Sequence, residues 1–64
     1  MTGAELREER LERVMTGDTF GAFLAKALGR VRPYGRREVS AWENGSRKIP
    51  EAVERVLLRL RFGP

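Results

Sequence analysis

Sixty-four residues bury only about 60% of the surface the unfolded chain exposes, so the core must be simple, and the lack of Cys and His removes disulfide staples and leaves carboxylates alone for any zinc site. Thirteen Lys and Arg against nine Asp and Glu give a net charge of +4; no apolar run approaches the ~18 residues of a membrane span, and Met1 to Met15 is charged throughout, unlike a signal peptide. These features point to a soluble intracellular chain with no cofactor or structural metal, one domain over residues 1–64, and its Ala, Leu, Arg and Glu with few β-branched or aromatic residues favour an all-α fold.

Thr2 with Glu5 three residues on forms a capping-box start, and a first helix follows to about Val14. Leu6, Leu11, Val14 and Met15 recur on one side of it, while Glu5, Glu8, Glu9 and Glu12 with Arg7 and Arg13 form a solvated charged face. Gly17 breaks the pattern, and Thr16 or Asp18 caps a second helix from about Asp18 to Leu28. Phe20, Phe23, Leu24, Ala27 and Leu28 recur at three and four and read as core; Gly21, Ala22 and Ala25 offer a small-residue surface for close approach.

Gly29 to Gly35 is a loop, because Gly29 suits a left-handed cap and Pro33 turns Arg32 away from helical geometry. It is long for a turn between packed helices. A third helix spans Arg36 to Asn44, anchored by Val39 and Trp42 and ended by Gly45. Ser46 to Ile49 is a polar connector, and Pro50 opens a fourth helix, whose Val53, Val56, Leu57 and Leu60 stand at i, i+3, i+4 and i+7 and should pack inward. Leu58 and Phe62 form a second apolar pair off that stripe, which either closes the chain end over the core or serves as a homodimer contact. Gly63-Pro64 stops the helix.

The charge is not spread evenly. Residues 1–29 carry four Lys and Arg against five Asp and Glu, whereas residues 30–48 carry six against two. A cationic stretch at the start of a short, Trp-anchored helix is what a polyanion would meet, and a helix is about as wide as the major groove of DNA.

The segment Val39-Ser40-Ala41-Trp42-Glu43-Asn44-Gly45-Ser46-Arg47-Lys48-Ile49-Pro50 resembles the third helix and exit of the phage-repressor-like helix-turn-helix family, the lambda repressor and Cro type. That pattern has an apolar residue, a Ser, any residue, Trp or Leu, then Glu-Asn-Gly, basic residues and a Pro. The resemblance implies a compact four-helix helix-turn-helix domain, here with an extended turn between helices two and three. It implies a regulator of transcription, a repressor rather than an activator, that binds double-stranded DNA sequence-specifically in the cytoplasm of a bacterial or phage-infected bacterial cell.

Carried over position by position, the resemblance places Arg36, Arg37, Ser40 and Ala41 at base edges, with Arg forks suited to guanine O6 and N7. It places backbone contacts at Thr16, Gly17 and Thr19, at Asn44, Ser46, Arg47 and Lys48, and, in the long turn, at Arg30, Arg32 and Tyr34; Tyr34 either donates to a phosphate or plugs the core edge. It also implies an ion pair between Arg10 and Glu43, on a scaffold held by Val39 and Trp42. The middle of the chain departs from the family's Leu-Ala and Gly pattern. Phe20-Gly21 and Leu24-Ala25 through Gly29 are two registers in which it can be read. No nucleophile, phosphate-cradling glycine loop or carboxylate pair supports an enzyme. The rival reading is a small protein-interaction module that binds RNA polymerase, a toxin or another regulator; a membrane-surface helix fits poorly, because Glu51 and Glu54 interrupt the basic face.

Overall fold

Thr2 begins the first helix, α1 (Gly3–Glu12), by the reciprocal exchange its spacing predicts: its hydroxyl accepts the Glu5 N–H at 3.1 Å and its own N–H donates to the Glu5 carboxylate at 2.7 Å. The Thr2 N–H, and after it the Thr2 side chain, hold the Glu5 carboxyl below its ordinary pKa. The computed structural model describes residues 1–63; Pro64, expected to help stop the last helix, lies outside the described residues.

α1 ends earlier than its periodicity predicts. Val14 takes a left-handed φ of 55°, and the Val14 and Met15 amides donate back to the Leu11 and Arg10 carbonyls at 3.0 and 3.2 Å, the double closure of a Schellman cap with valine in the place of glycine. Leu11 and Val14 therefore leave the core side and stand 54% and 93% exposed. A β-branched residue in this region carries strain on the order of 1–3 kcal/mol, against which glycine's extra freedom in the unfolded chain weighs roughly 1 kcal/mol. Val14→Gly is accordingly expected to stabilise the fold by about 1 kcal/mol, read as a Tm rise of roughly 4–8 °C; a lower Tm would show that the left-handed turn is unstrained.

The charged face of α1 also differs from expectation. Glu9 is 4% exposed, and its carboxylate takes Arg13 at 2.5 Å on one oxygen and Arg61 at 3.0 Å on the other. Arg13 in turn lies 5.5 Å above the Phe23 ring. This buried carboxylate is tolerable because both its oxygens are matched by cations.

α2 (Gly17–Ala27) is capped by Thr16 rather than Asp18: the Thr16 hydroxyl accepts the Thr19 N–H and the Thr19 hydroxyl accepts the Thr16 N–H. Phe20 and Leu24 are fully enclosed, and Gly21 and Ala25 are buried with them. Phe23 and Leu28 are half-buried, and Ala27, expected inside, is exposed. After Gly29 (φ 71°) the chain runs back along α2, with the Arg30 N–H on the Ala25 carbonyl at 2.8 Å and the Tyr34 N–H on the Gly21 carbonyl at 3.4 Å. A side chain at Gly21 would overlap the Tyr34 carbonyl, so this close approach requires glycine. The returning turn thus seats along α2 from Ala25 back to Gly21 and touches residues of both registers.

α3 (Arg36–Glu43) starts after Gly35, whose N–H donates to the Glu38 carboxylate at 3.3 Å, and ends at Asn44 and Gly45 (φ 84°). Val39 and Trp42 are buried beneath it, and the Tyr34 ring meets Trp42 edge-on with centroids 4.9 Å apart. Ile49 from the connector joins this core, which its polar surroundings in the sequence did not suggest.

α4 (Glu51–Phe62) begins one residue after Pro50 and buries Val53, Val56 and Leu57. Leu60, expected to continue that stripe, is 49% exposed, because the last turns of α4 run past the core and are tied down by Arg61 on Glu9. Among the described residues there are four helices and no strand. The radius of gyration of 10.6 Å matches the ~11 Å that compact chains of this length adopt. No described helix is long and apolar enough to cross a membrane.

Candidate nucleic-acid interface

At about 100° per residue, Arg36, Arg37, Ser40, Ala41 and Asn44 fall within an arc of about 140° on α3. The opposite side carries Val39 and Trp42 into the core, with Glu43 beside them. The exposures agree: Arg36, Arg37, Ser40 and Asn44 are exposed and Ala41 is half-buried. The two residues that sink into the core therefore decide which side chains face outward.

The N-terminus of α2 lies beside that of α3. A Cβ on Gly17 would stand 3.3 Å from the Arg36 Cβ, so the two helix starts are close neighbours. Gly17, Arg36, Arg37 and Ser40 share one open depression with the Arg10–Glu43 pair on its inner wall. The first amides of both helices precede any intrahelical acceptor and add partial positive charge. Thr16 and Thr19, predicted to reach a backbone, spend their hydroxyls on one another's amides, and Thr19 also donates to the Thr16 carbonyl at 3.2 Å. Gly17 is the group of that trio which lines the depression.

Arg10 and Glu43 meet as a fork: Nε to Oε2 at 2.7 Å and Nη2 to Oε1 at 3.0 Å, while Nη1 donates to the Met15 carbonyl at 3.2 Å. Their side chains retain 18% and 12% exposure. The hydrogen bonds that Arg10 donates to Glu43 hold its guanidinium even more firmly protonated than usual. One side chain thereby joins α1, the approach to α2 and the end of α3.

Beyond α3, the Asn44 Oδ1 accepts the Ser46 N–H at 2.9 Å, and the Arg47 N–H returns to the Ala41 carbonyl at 3.1 Å. This tight turn fixes Arg47 and Lys48 at the C-terminal end of a helix about 12 Å long, with Arg36 and Arg37 at the other end. Arg30 and Arg32 are exposed but do not line the depression. Arg30 instead stacks on Tyr34, its guanidinium carbon 4.1 Å from the ring centroid, and donates to the Arg32 carbonyl at 3.4 Å. Tyr34 is 6% exposed, so its ring plugs the core edge, the second of its two predicted roles.

Comparison with protein-family models, curated proteins and solved structures returned no match. The chemistry of this surface must be read from its own residues. Among the described residues, five ion pairs occur within 4.0 Å, and none includes Arg30, Arg32, Arg36, Arg37, Arg47 or Lys48. The acids of the same segment are occupied, Glu43 by Arg10 and Glu38 by the Gly35 amide. The excess charge that the sequence concentrates in residues 30–48 is thus unneutralised on the folded surface. The Glu9 cluster was missed in the sequence. Its i, i+4 partner Arg13 was visible there, but Arg61 is 52 positions away and no spacing signals it.

Proposed function

We propose that this chain is a phage-repressor-like helix-turn-helix domain, of the lambda repressor and Cro type, that binds double-stranded DNA sequence-specifically and represses transcription by laying α3 in the major groove. One observation carries the reading: six cations without an ion-pair partner, in the same segment as the α3 face that Val39 and Trp42 turn outward. Arg36 and Arg37 read guanine edges from the first turn of α3, with Ser40 and Ala41 one turn on, where Ala41 contacts a thymine methyl. The Gly17 amide, Asn44, Ser46, Arg47 and Lys48 hold phosphates on either side and set the register. Arg30 and Arg32 act at the margin of this contact.

Selection of bound duplexes from a random DNA pool tests binding, sequence preference and half-site spacing together. Enrichment of a G-containing motif is expected, and recovery of an unenriched pool would overturn the reading. Salt provides an independent check. With about four to six phosphates neutralised, log K should fall with log salt at a slope of about −4 to −5. A flat response would transfer the surface to a protein partner such as RNA polymerase or a toxin.

A further inference from the structure

A groove that α3 does not share runs between the last turn of α2 and the first turns of α4. Val56 closes its floor, Leu28 is half-buried on the α2 wall, and Ala27 and Ala52 face each other across it with their side chains exposed. Its volume of about 480 Å³ falls within the ~300–1,000 Å³ of sites that bury a ligand or an anchoring side chain. Leu60, one turn beyond Val56, is 49% exposed, so the apolar row Ala52, Val56, Leu60 outruns what α2 covers. Leu58 and Phe62, 44% and 77% exposed, lie at the α1 edge of α4 and take no part.

The rim of the groove is cationic. Arg59 belongs to none of the ion pairs among the described residues. Arg55 holds Glu51, the one acid on the rim, only at 3.7 Å, with side chains 80% and 76% exposed; a pair of this kind is worth little and is readily exchanged.

We infer that the α2–α4 groove docks an amphipathic helix of another protein, apolar along one stripe and acidic beside it. Charge decides the occupant. Arg55 and Arg59 stand one turn apart, about 6 Å along the axis, which is the spacing of two carboxylates at i and i+4 on a helix lying alongside. The apolar row next to them takes that helix's leucine-type side chains, as helix-in-groove complexes do. A basic helix would meet two arginines and gain only Glu51. From Ala52 to Arg59 the contact is about 10 Å long, well short of what the ~800 Å² per partner of a stable complex needs, so the dissociation constant is on the order of 100 µM. This face carries none of the proposed DNA contacts, and its test contains no DNA.

The probe is a synthetic Ala/Glu peptide of about four helical turns with leucines at i, i+4 and i+7, titrated into the isotope-labelled full chain and followed by amide chemical shifts. Saturable shifts centred on Ala27, Leu28, Ala52 and Val56 are expected. Arg59→Glu and Ala52→Glu, both at exposed positions, should each weaken binding by about tenfold or more with an unchanged circular dichroism spectrum. Replacing Arg36 and Arg37 by alanine should leave it within about twofold. A peptide with serine for each leucine keeps the charge and should bind about tenfold more weakly or worse. Shifts centred on α3, or equal binding of the serine peptide, overturn the proposal, because the attraction would be to cations in general. Groove shifts that appear when the chain alone is concentrated overturn it as well, since the occupant would then be a second copy. So does the absence of saturable shifts with the peptide at about ten times the expected dissociation constant.

Discussion

Replacing Arg36 and Arg37 together by alanine is expected to abolish sequence preference for DNA while leaving the fold intact. Both side chains are exposed and neither takes part in an ion pair, and alanine is the better helix former, so thermal stability should stay within about 0.5 kcal/mol. A bidentate Arg–guanine contact carries roughly 1–3 kcal/mol of discrimination. Losing two should weaken binding to a selected site by roughly 30- to 10⁴-fold. Binding to random duplex should fall much less, because Arg47, Lys48 and the Gly17 amide remain. The salt slope separates this from a plain phosphate role: base-edge contacts release few counterions, so the slope should change little, whereas two lost phosphate contacts would flatten it by about 2. Titrations of a selected and a random duplex at two salt concentrations check both points. A double variant that keeps its preference would remove α3 from the reading role.

What the sequence disclosed and what it hid follow from the range of the interactions involved. The α3 helix was legible because its signals are local: Gly35 and Gly45 bracket it, and Val39 and Trp42 stand three apart on one side. The Thr2 start was likewise visible, since a capping exchange spans only three residues, whereas at the second helix Thr16 and Asp18 both stood open and the exchange with Thr19 decided for Thr16. Periodicity failed where it had no information about where the core ends. Leu11, Val14 and Leu60 keep the helical spacing yet lie exposed, the first two beside a left-handed turn and the third on a helix that overshoots its support. The long turn was recognised as unusual, but its path depended on a contact between Gly21 and Tyr34 that no pattern in a single sequence marks. Glu9 is the clearest case. It lies among four acids that read as one solvated face, and its burial is sustainable because the distant Arg61 joins Arg13 to match its second oxygen.

Glu43→Ala is expected to cost the fold substantial stability, although Glu43 itself is not among the proposed base readers. Removing the carboxylate leaves the Arg10 guanidinium, whose side chain is 18% exposed, with the Met15 carbonyl as its one remaining protein acceptor. A stranded charge costs about 3–5 kcal/mol when fully buried; with some water still reaching this one, about 2–3 kcal/mol is expected. Neutralisation gives no escape, because arginine stays protonated at any accessible pH. For a chain of this length, total stability is on the order of 3–10 kcal/mol, so the Tm should fall by roughly 10–20 °C. The double variant Arg10→Met with Glu43→Leu should be more stable than either single one, since it leaves neither charge without its partner. Additive losses in that thermal-denaturation cycle would mean that the two side chains act independently. The link to function is geometric. The pair fastens the end of α3 to α1 along the border of the outward stripe, in the depression that Arg36, Arg37 and Ser40 line, so loosening it lets the helix roll about the Trp42 anchor and carries Arg36 and Arg37 off their line. DNA affinity of the singly substituted chain should therefore drop at temperatures where circular dichroism still shows it folded.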